Sequence, residues 1–185
     1  MENFMKRIVV IYESRYGSTR RYAEWIAEAL SCSFYEKDIF KPEDFTNYDV
    51  VIYGGGLYAG GVSGIKLLTK NWELLRDREV ILFTCGLADP EDPDNTAHIR
   101  KSLSKVLSPE MFEHLHLFHL RGGIDYDKLS FVHKSMMAML RKSLARKDRE
   151  SLREEDRQLL DTYGSCVDFT SKESIQPIVQ SALSL

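Results

Sequence analysis

The sequence lacks the features that would place it in a membrane or outside the cell. It has no run of roughly 18 apolar residues, so it does not predict a transmembrane helix. Its three cysteines are far apart and form no CxxC pair, which is typical of a reducing compartment and argues against a disulfide framework or a zinc site. The N-terminus carries no cleavable apolar segment. We therefore expect a cytoplasmic protein without a bound metal.

The turn after the first apolar run lacks two common nucleotide-binding signatures. It has neither the Gly-x-x-x-x-Gly-Lys-Ser/Thr spacing of a P-loop nor the Gly-x-Gly-x-x-Gly of a dinucleotide fold. It offers instead the hydroxyl groups of Ser14, Tyr16, Ser18 and Thr19 around Gly17, and a helix is predicted to begin near Ser18. The pattern suits a phosphate monoester that is bound and not transferred. Taken alone, however, a turn of this kind is more often an ordinary helix cap in a βα turn.

Apolar strands and helices alternate along the chain. The apolar runs lie at residues 7–12, 33–39, 49–53, 79–85 and 115–120. Because these runs lack polar alternation, they predict a parallel sheet that is covered on both faces. We expect one α/β domain over residues 1–185, a three-layer sandwich with a five-stranded parallel sheet in the order 2-1-3-4-5. An additional helical, charged segment at residues 128–157 is predicted to follow the fifth strand.

Three loops are predicted to meet at the carboxyl edge of this sheet, at residues 13–19, 54–63 and 85–95. The second loop has five glycines and can cover a ring with Leu57 and Tyr58, and the third has small residues from Thr84 to Ala88. Together the loops indicate a ligand with a phosphate tail and a planar aromatic head, which fits flavin mononucleotide (FMN). A receiver domain is disfavoured because strand 1 is not followed by an acidic cluster.

The first loop carries a resemblance to a known family. The run Ser14-Arg15-Tyr16-Gly17-Ser18-Thr19 resembles the flavodoxin phosphate loop, Ser/Thr-x-Thr/Tyr-Gly-x-Ser/Thr. Residues 121–142 and 167–170 are similar to the menaquinone-dependent protoporphyrinogen oxidase branch of flavodoxin-domain proteins. The second loop departs from that branch, because three glycines and Leu57-Tyr58-Ala59 replace an Ala-Ser-Ile-Arg-Tyr-Gly-like run.

The resemblance implies a flavodoxin-like fold, FMN as cofactor and a set of contacts to it. The implied phosphate ligands are Ser14, Arg15, Tyr16, Gly17, Ser18 and Thr19. The isoalloxazine would be framed by Gly56, Leu57, Tyr58 and Ala59, with Cys85, Gly86 and Leu87 on its other side. The implied function is an oxidoreductase that passes electrons to a quinone. The alternatives are a flavodoxin-type electron carrier and a non-redox module that has lost FMN. No side chain is predicted to be a catalytic acid or base.

Residues 128–147 form a basic segment. They contain six lysines and arginines and no acid, and because the whole chain carries −3, the remainder carries −9. The spacing predicts a helix with an apolar face of Leu129, Val132, Met136, Leu140 and Leu144. This face either packs on the sheet or leaves residues 131–146 as a Met-rich, cationic surface. Such a surface suits a redox partner protein, a quinone, a porphyrin-like substrate or the inner face of a membrane, and we expect no nucleic-acid partner.

Two other sets of residues are assigned structural roles. His114, His116 and His119 are predicted to lie in one strand without completing a metal site. His98 and His133 are interpreted as surface or packing residues.

Overall fold

The computed structural model describes residues 6–58 and 61–185. Its main sheet has five parallel strands in the order β2-β1-β3-β5-β6, and a short strand β4 pairs antiparallel with β3. The strands are β1 (Ile8–Glu13), β2 (Ser33–Glu36), β3 (Val50–Tyr58), β4 (Gly61–Val62), β5 (Glu79–Gly86) and β6 (His116–Arg121). The predicted α/β class and parallel strand order are therefore confirmed, with β4 as an addition.

Helices cover both faces of the sheet. They are α1 (Ser18–Leu30), α2 (Lys66–Lys70), α3 (Trp72–Leu75), α4 (Pro93–Leu103), α5 (Pro109–His114), α6 (Phe131–Leu144), α7 (Glu154–Thr162) and α8 (Gln176–Ser184). Successive side chains of a strand point to opposite faces, so β1 sends Val9 to one core and Val10 to the other. Helices α1 and α8 cover the core around Val10, whereas α3 and α5 contribute to the core around Val9.

Strand β3 is longer than the sequence indicated. We predicted that it ends at Tyr53 and that a loop begins at Gly54, but the strand continues to Tyr58. Glycine weakens a strand when nothing replaces its side chain. Here the ring of Phe83 on the neighbouring strand fills the space that a side chain at Gly54 would occupy. The extension carries Leu57 and Tyr58 rigidly to the carboxyl edge of the sheet.

Two helices differ from what their sequences indicate. Ser63 is a residue type that can cap a helix, but the helix begins only at Lys66 and is divided at Asn71 into α2 and α3. Pro177, which would bend a helix from within, lies in the first turn of α8. A proline there costs nothing, since its missing N–H group would have no partner within the helix.

A second, two-stranded sheet follows β6. Strand β7 (Gly123–Asp125) pairs antiparallel with β8 (Cys166–Asp168), with Asp125 opposite Cys166. Helices α6 and α7 lie in the segment between these strands. The segment therefore departs from and returns to one place, beside the carboxyl end of β6.

No helix in the described part of the chain combines the length and the apolar character needed to cross a bilayer.

Candidate functional site

A cleft opens at the carboxyl edge of the main sheet. It encloses about 750 Å³ of empty space, counted out to its open mouth. Nine of the thirteen residues implied by the resemblance line it, and they come from all three predicted loops: Ser14, Tyr16, Ser18, Thr19, Leu57, Tyr58, Cys85, Gly86 and Leu87. The topology thus brings residues that are up to 73 positions apart in the chain to one site.

The hydroxyl-rich turn forms one end of the cleft. Gly17 stands before α1 with φ of 101°, a conformation that favours glycine, and no side chain caps the first turn of α1. The Ser14 hydroxyl accepts a hydrogen bond from the Gly17 N–H at 3.1 Å, and the Ser18 hydroxyl accepts one from Gly123 at 3.2 Å. An uncapped helix N-terminus beside several hydroxyl groups is a favourable place for an anion.

Three of the other four implied residues are not among those that line the cleft. The Arg15 side chain is exposed and reaches His133 on α6, at 3.1 Å from Nη1 to Nε2. Gly17 contributes through its backbone, by its positive φ and its hydrogen bond to Ser14. Gly56 leaves room for the Tyr58 ring, which would be 2.7 Å from a Cβ atom at that position. Ala59 lies outside the described residues.

The floor and one wall of the cleft are made of backbone and apolar side chains. A Cβ atom at Gly86 would lie 2.9 Å from Leu57, and one at Gly122 would lie 2.9 Å from the Cys85 sulphur. The Gly122 N–H donates to the Gly86 carbonyl oxygen at 2.6 Å, which joins the two strand ends. Side chains at these two positions would clash with Leu57 and Cys85, so this part of the surface is formed by backbone.

Burial keeps the two ionisable groups of the wall in their protonated forms. It raises the pKa of the Tyr58 phenol to about 12, although nearby Arg15 lowers that pKa slightly. It also raises the pKa of the Cys85 thiol to about 12, and a hydrogen bond with Thr19 opposes the shift. Neither group is an effective base or nucleophile near neutral pH.

Helix α6 forms the roof of the cleft. Eleven of its fourteen residues are exposed, and the three that are not are His133, Met137 and Leu144. These three lie on one side of the helix, and His133 and Met137 line the cleft. The apolar face predicted from the sequence is only partly buried, since Val132, at 64% exposure, faces solvent. The helix is therefore buried only along one narrow side, and the predicted apolar face as a whole does not pack on the sheet.

Several residues of this site were not predicted from the sequence. Gly122, Gly123 and Ile124 line the cleft after β6, and Met136, Met137 and His133 line it from α6. His133 was interpreted as a surface or packing residue. Its spacing of four positions from Met137 is the signal that places both on one side of the helix.

The other histidines lie away from the cleft. His114 ends α5 and does not lie in the strand with His116 and His119, which corrects the sequence prediction. His119 pairs with the Thr84 hydroxyl at 2.8 Å, and burial lowers its pKa to about 4. Among the described residues, no three His, Cys, Asp or Glu side chains are grouped so that they could hold a metal ion.

Comparison with known families agrees with this architecture. The model of the flavodoxin domain family matches residues 9–151, which is more than three quarters of the chain. The chain belongs to the flavodoxin domain family. A comparison of this flavodoxin-domain protein with curated proteins gave no match.

Several solved structures are similar at low sequence identity. A WrbA-like flavodoxin from Agrobacterium tumefaciens is 23% identical, with a TM-score of 0.45, over 58% of this chain and 74% of that one. A flavoprotein in complex with FMN from Lactobacillus acidophilus is 18% identical, with a TM-score of 0.44, over 63% and 92%. Oxidised flavodoxin 1 from Bacillus cereus is 16% identical, with a TM-score of 0.41, over 62% and 83%.

Proposed function

We propose that this flavodoxin-domain protein binds FMN in the cleft and acts as a redox protein. The proposal rests on one observation, which is that the two ends of the cleft differ in their chemistry. One end has an uncapped helix N-terminus with the hydroxyls of Ser14, Ser18 and Thr19. The other end has the apolar wall of Leu57 and Tyr58. The two ends match the phosphate and the isoalloxazine of FMN.

Each part of the cleft has a role in this proposal. The backbone N–H groups of the first turn of α1 would bind the phosphate, with hydroxyl donors beside them. Leu57 and Tyr58 would lie against the ring, and the segment Cys85–Leu87, whose Gly86 packs on Leu57, would border the same part of the cleft. When bound, FMN supplies the electron or hydride transfer that the side chains of the cleft cannot perform. The protein orients the ring, and helix α6 limits access of water.

The finer proposal is an oxidoreductase like protoporphyrinogen oxidase that passes electrons to a quinone. Its support is the roof of the cleft, which combines Met136 and Met137 with the cations of the basic segment. An apolar quinone suits the methionines, and an acidic tetrapyrrole suits the positive charge. We also propose a peripheral position at the inner face of a membrane. There the exposed apolar side chains of α6 would meet acyl chains, and its basic side chains would meet anionic headgroups.

The experiment that tests the proposal has two stages. The purified protein should bind FMN with one-to-one stoichiometry, and the absorbance bands of the bound flavin should bleach under dithionite. A protein that rejects added FMN contradicts every redox proposal and favours a non-redox module. Protoporphyrinogen oxidation that depends on added menaquinone supports the finer proposal. Bound flavin that can be reduced and reoxidised without that activity favours an electron carrier.

A further inference from the structure

His133 joins the roof of the cleft to the hydroxyl-rich turn and to the apolar wall. Its Nδ1 atom is 2.6 Å from the Tyr16 hydroxyl oxygen, and its Nε2 atom is 3.1 Å from Nη1 of Arg15. Its ring stacks on Tyr58, with 5.4 Å between ring centroids and 17° between planes. One side chain from α6 therefore contacts residues of both loops.

The chemistry of Arg15 determines which nitrogen of His133 carries the hydrogen. A guanidinium group only donates hydrogen bonds, so Nε2 must accept. The imidazole is therefore neutral with its hydrogen on Nδ1, and this N–H donates to the Tyr16 oxygen. The backbone N–H of Ser130 also donates to that oxygen, at 3.3 Å.

These two hydrogen bonds determine whether the Tyr16 hydroxyl donates or accepts towards the cleft. A phenol oxygen that accepts two hydrogen bonds still has its own hydrogen to donate. Within the described part of the chain, no hydrogen bond uses that hydrogen once His133 is the donor. Tyr16 lines the cleft, and its ring lies edge-on to Tyr58 at 6.1 Å between centroids. The hydrogen is thus available to a molecule in the cleft.

We propose that Tyr16 donates a hydrogen bond to an acceptor oxygen of the ligand in the cleft, and that His133 is the positioning residue that enforces this direction. The inference rests on the proposed FMN site, because FMN offers acceptor oxygens at its phosphate, ribityl chain and ring. It assigns a role to His133 that packing alone does not require. A methionine, as at position 137, also fills space, but it does not donate to Tyr16.

The first test needs no ligand. Nitrogen-15 NMR of the imidazole groups, assigned with a His133→Asn variant, distinguishes the two neutral tautomers and the imidazolium ion. We expect the Nδ1–H tautomer for His133 at neutral pH. Finding the Nε2–H tautomer or the imidazolium ion overturns the proposal, whether or not the protein binds FMN.

The second test is a double-mutant cycle on flavin affinity. Tyr16→Phe keeps the ring but removes the hydroxyl, and His133→Ala removes the group that orients it. We expect each variant to weaken FMN binding by about three- to tenfold, the usual range for one hydrogen bond. The double variant should be no weaker than the weaker single variant, because both changes remove the same bond. Additive losses overturn the proposal.

Three controls complete the cycle. His133→Asn keeps an N–H donor near the position of Nδ1 and should restore most of the affinity. His98→Ala, an exposed histidine on α4, should bind FMN as the original protein does. Riboflavin lacks the phosphate, so a loss seen with FMN alone assigns the acceptor to the phosphate, and a loss with both assigns it to the rest of the flavin. If the unaltered protein binds no flavin, the proposed function fails, and the NMR result still decides the His133 tautomer.

Discussion

Arg121 donates from Nε to the carbonyl oxygen of Leu87 at 3.1 Å, and so ties the end of β6 to one wall of the cleft. Its other nitrogens reach Asp89 at 3.1 Å and Gln158 at 2.7 Å, and its guanidinium lies 3.9 Å from the centroid of the Phe169 ring. The side chain is largely shielded from solvent. One arginine thus fixes the loop after β5 against both α7 and the segment after β8.

Replacing Arg121 with lysine should loosen this wall without removing the charge. A lysine ammonium has no planar fork, so it cannot serve Leu87, Asp89 and Gln158 together or stack on Phe169. We expect FMN binding to weaken roughly tenfold, in proportion to the loss of one or two charge-assisted bonds. Fluorescence titration with FMN measures this change. Arg76→Lys is the matched control, because Arg76 is exposed and, in the described part of the chain, its side chain pairs only with Glu73. Equal affinities for the two variants would contradict the role given to Arg121.

Replacing Gly17 with alanine tests the turn before α1. A Cβ atom there meets nothing within 4 Å, so the effect comes from the backbone alone. Holding a non-glycine residue at a φ of 101° should cost about 1–2 kcal/mol of unfolding free energy, and the resulting shift of the turn should weaken FMN binding. Denaturant unfolding and FMN titration measure the two effects.

Gly164 provides a close control for that variant. It has a φ of 84°, its Cβ position is also open, and it lies outside the cleft lining. Gly164→Ala should lose a similar amount of stability and keep its FMN affinity. If both variants lose affinity equally, the effect is general destabilisation and not a property of the turn.

His119 should make the protein sensitive to mild acid. Burial lowers its pKa from 6.5 to about 4 in the folded state, so the unfolded chain binds the proton more readily in this range. The unfolding free energy should therefore fall as the pH drops from about 6.5 to about 4. In a His119→Gln variant the fall over this window should be smaller. Denaturant unfolding at several pH values, with exposed His98→Gln as control, measures the difference. Parallel curves for the original protein and His119→Gln would refute the assignment.

The exposed face of α6 should bind anionic bilayers if the protein is peripheral to a membrane. Phe131 and Met139 are 85% and 72% exposed on α6, and Lys142 follows Met139 by one helical turn. We expect co-sedimentation with phosphatidylglycerol vesicles but not with phosphatidylcholine vesicles, and a loss of binding in a Phe131→Ser, Met139→Ser double variant. Ile39→Ser is the control, because Ile39 is 70% exposed but lies elsewhere. Binding that survives the double variant would contradict a membrane role for this face.

The sequence predicted the main sheet well because its strands are unbroken apolar runs. A run such as Val9-Val10-Ile11 can be buried on both faces only in a covered parallel sheet, and that requirement sets both the class and the layers. The hydroxyl-rich turn was predicted for a similarly local reason. A glycine and a helix start lie within six residues of one another, and together they specify the geometry.

Other features were not predictable because they depend on contacts between distant segments. The three glycines of β3 indicate a loop from the sequence alone, whereas in the structure the Phe83 ring, about 30 positions later, fills the space beside Gly54. The side of α6 that is buried depends on the cleft beneath the helix. The spacing of apolar residues within α6 does not specify that side. Strands β4, β7 and β8, of two or three residues, are too short to show periodicity. The contact between Tyr16 and His133 spans 117 positions.

The pairing of β7 with β8 separates two parts of the chain that contribute different sides of the cleft. The strands and turns before β7 supply the floor and walls of the cleft, whereas the segment between the two strands supplies the roof. Since that segment starts and finishes at adjacent positions, its length and sequence can change without altering the register of the main sheet. Selectivity for what enters the cleft can thereby evolve on an unchanged main sheet, except at positions such as His133 that also contact the turn holding the ligand.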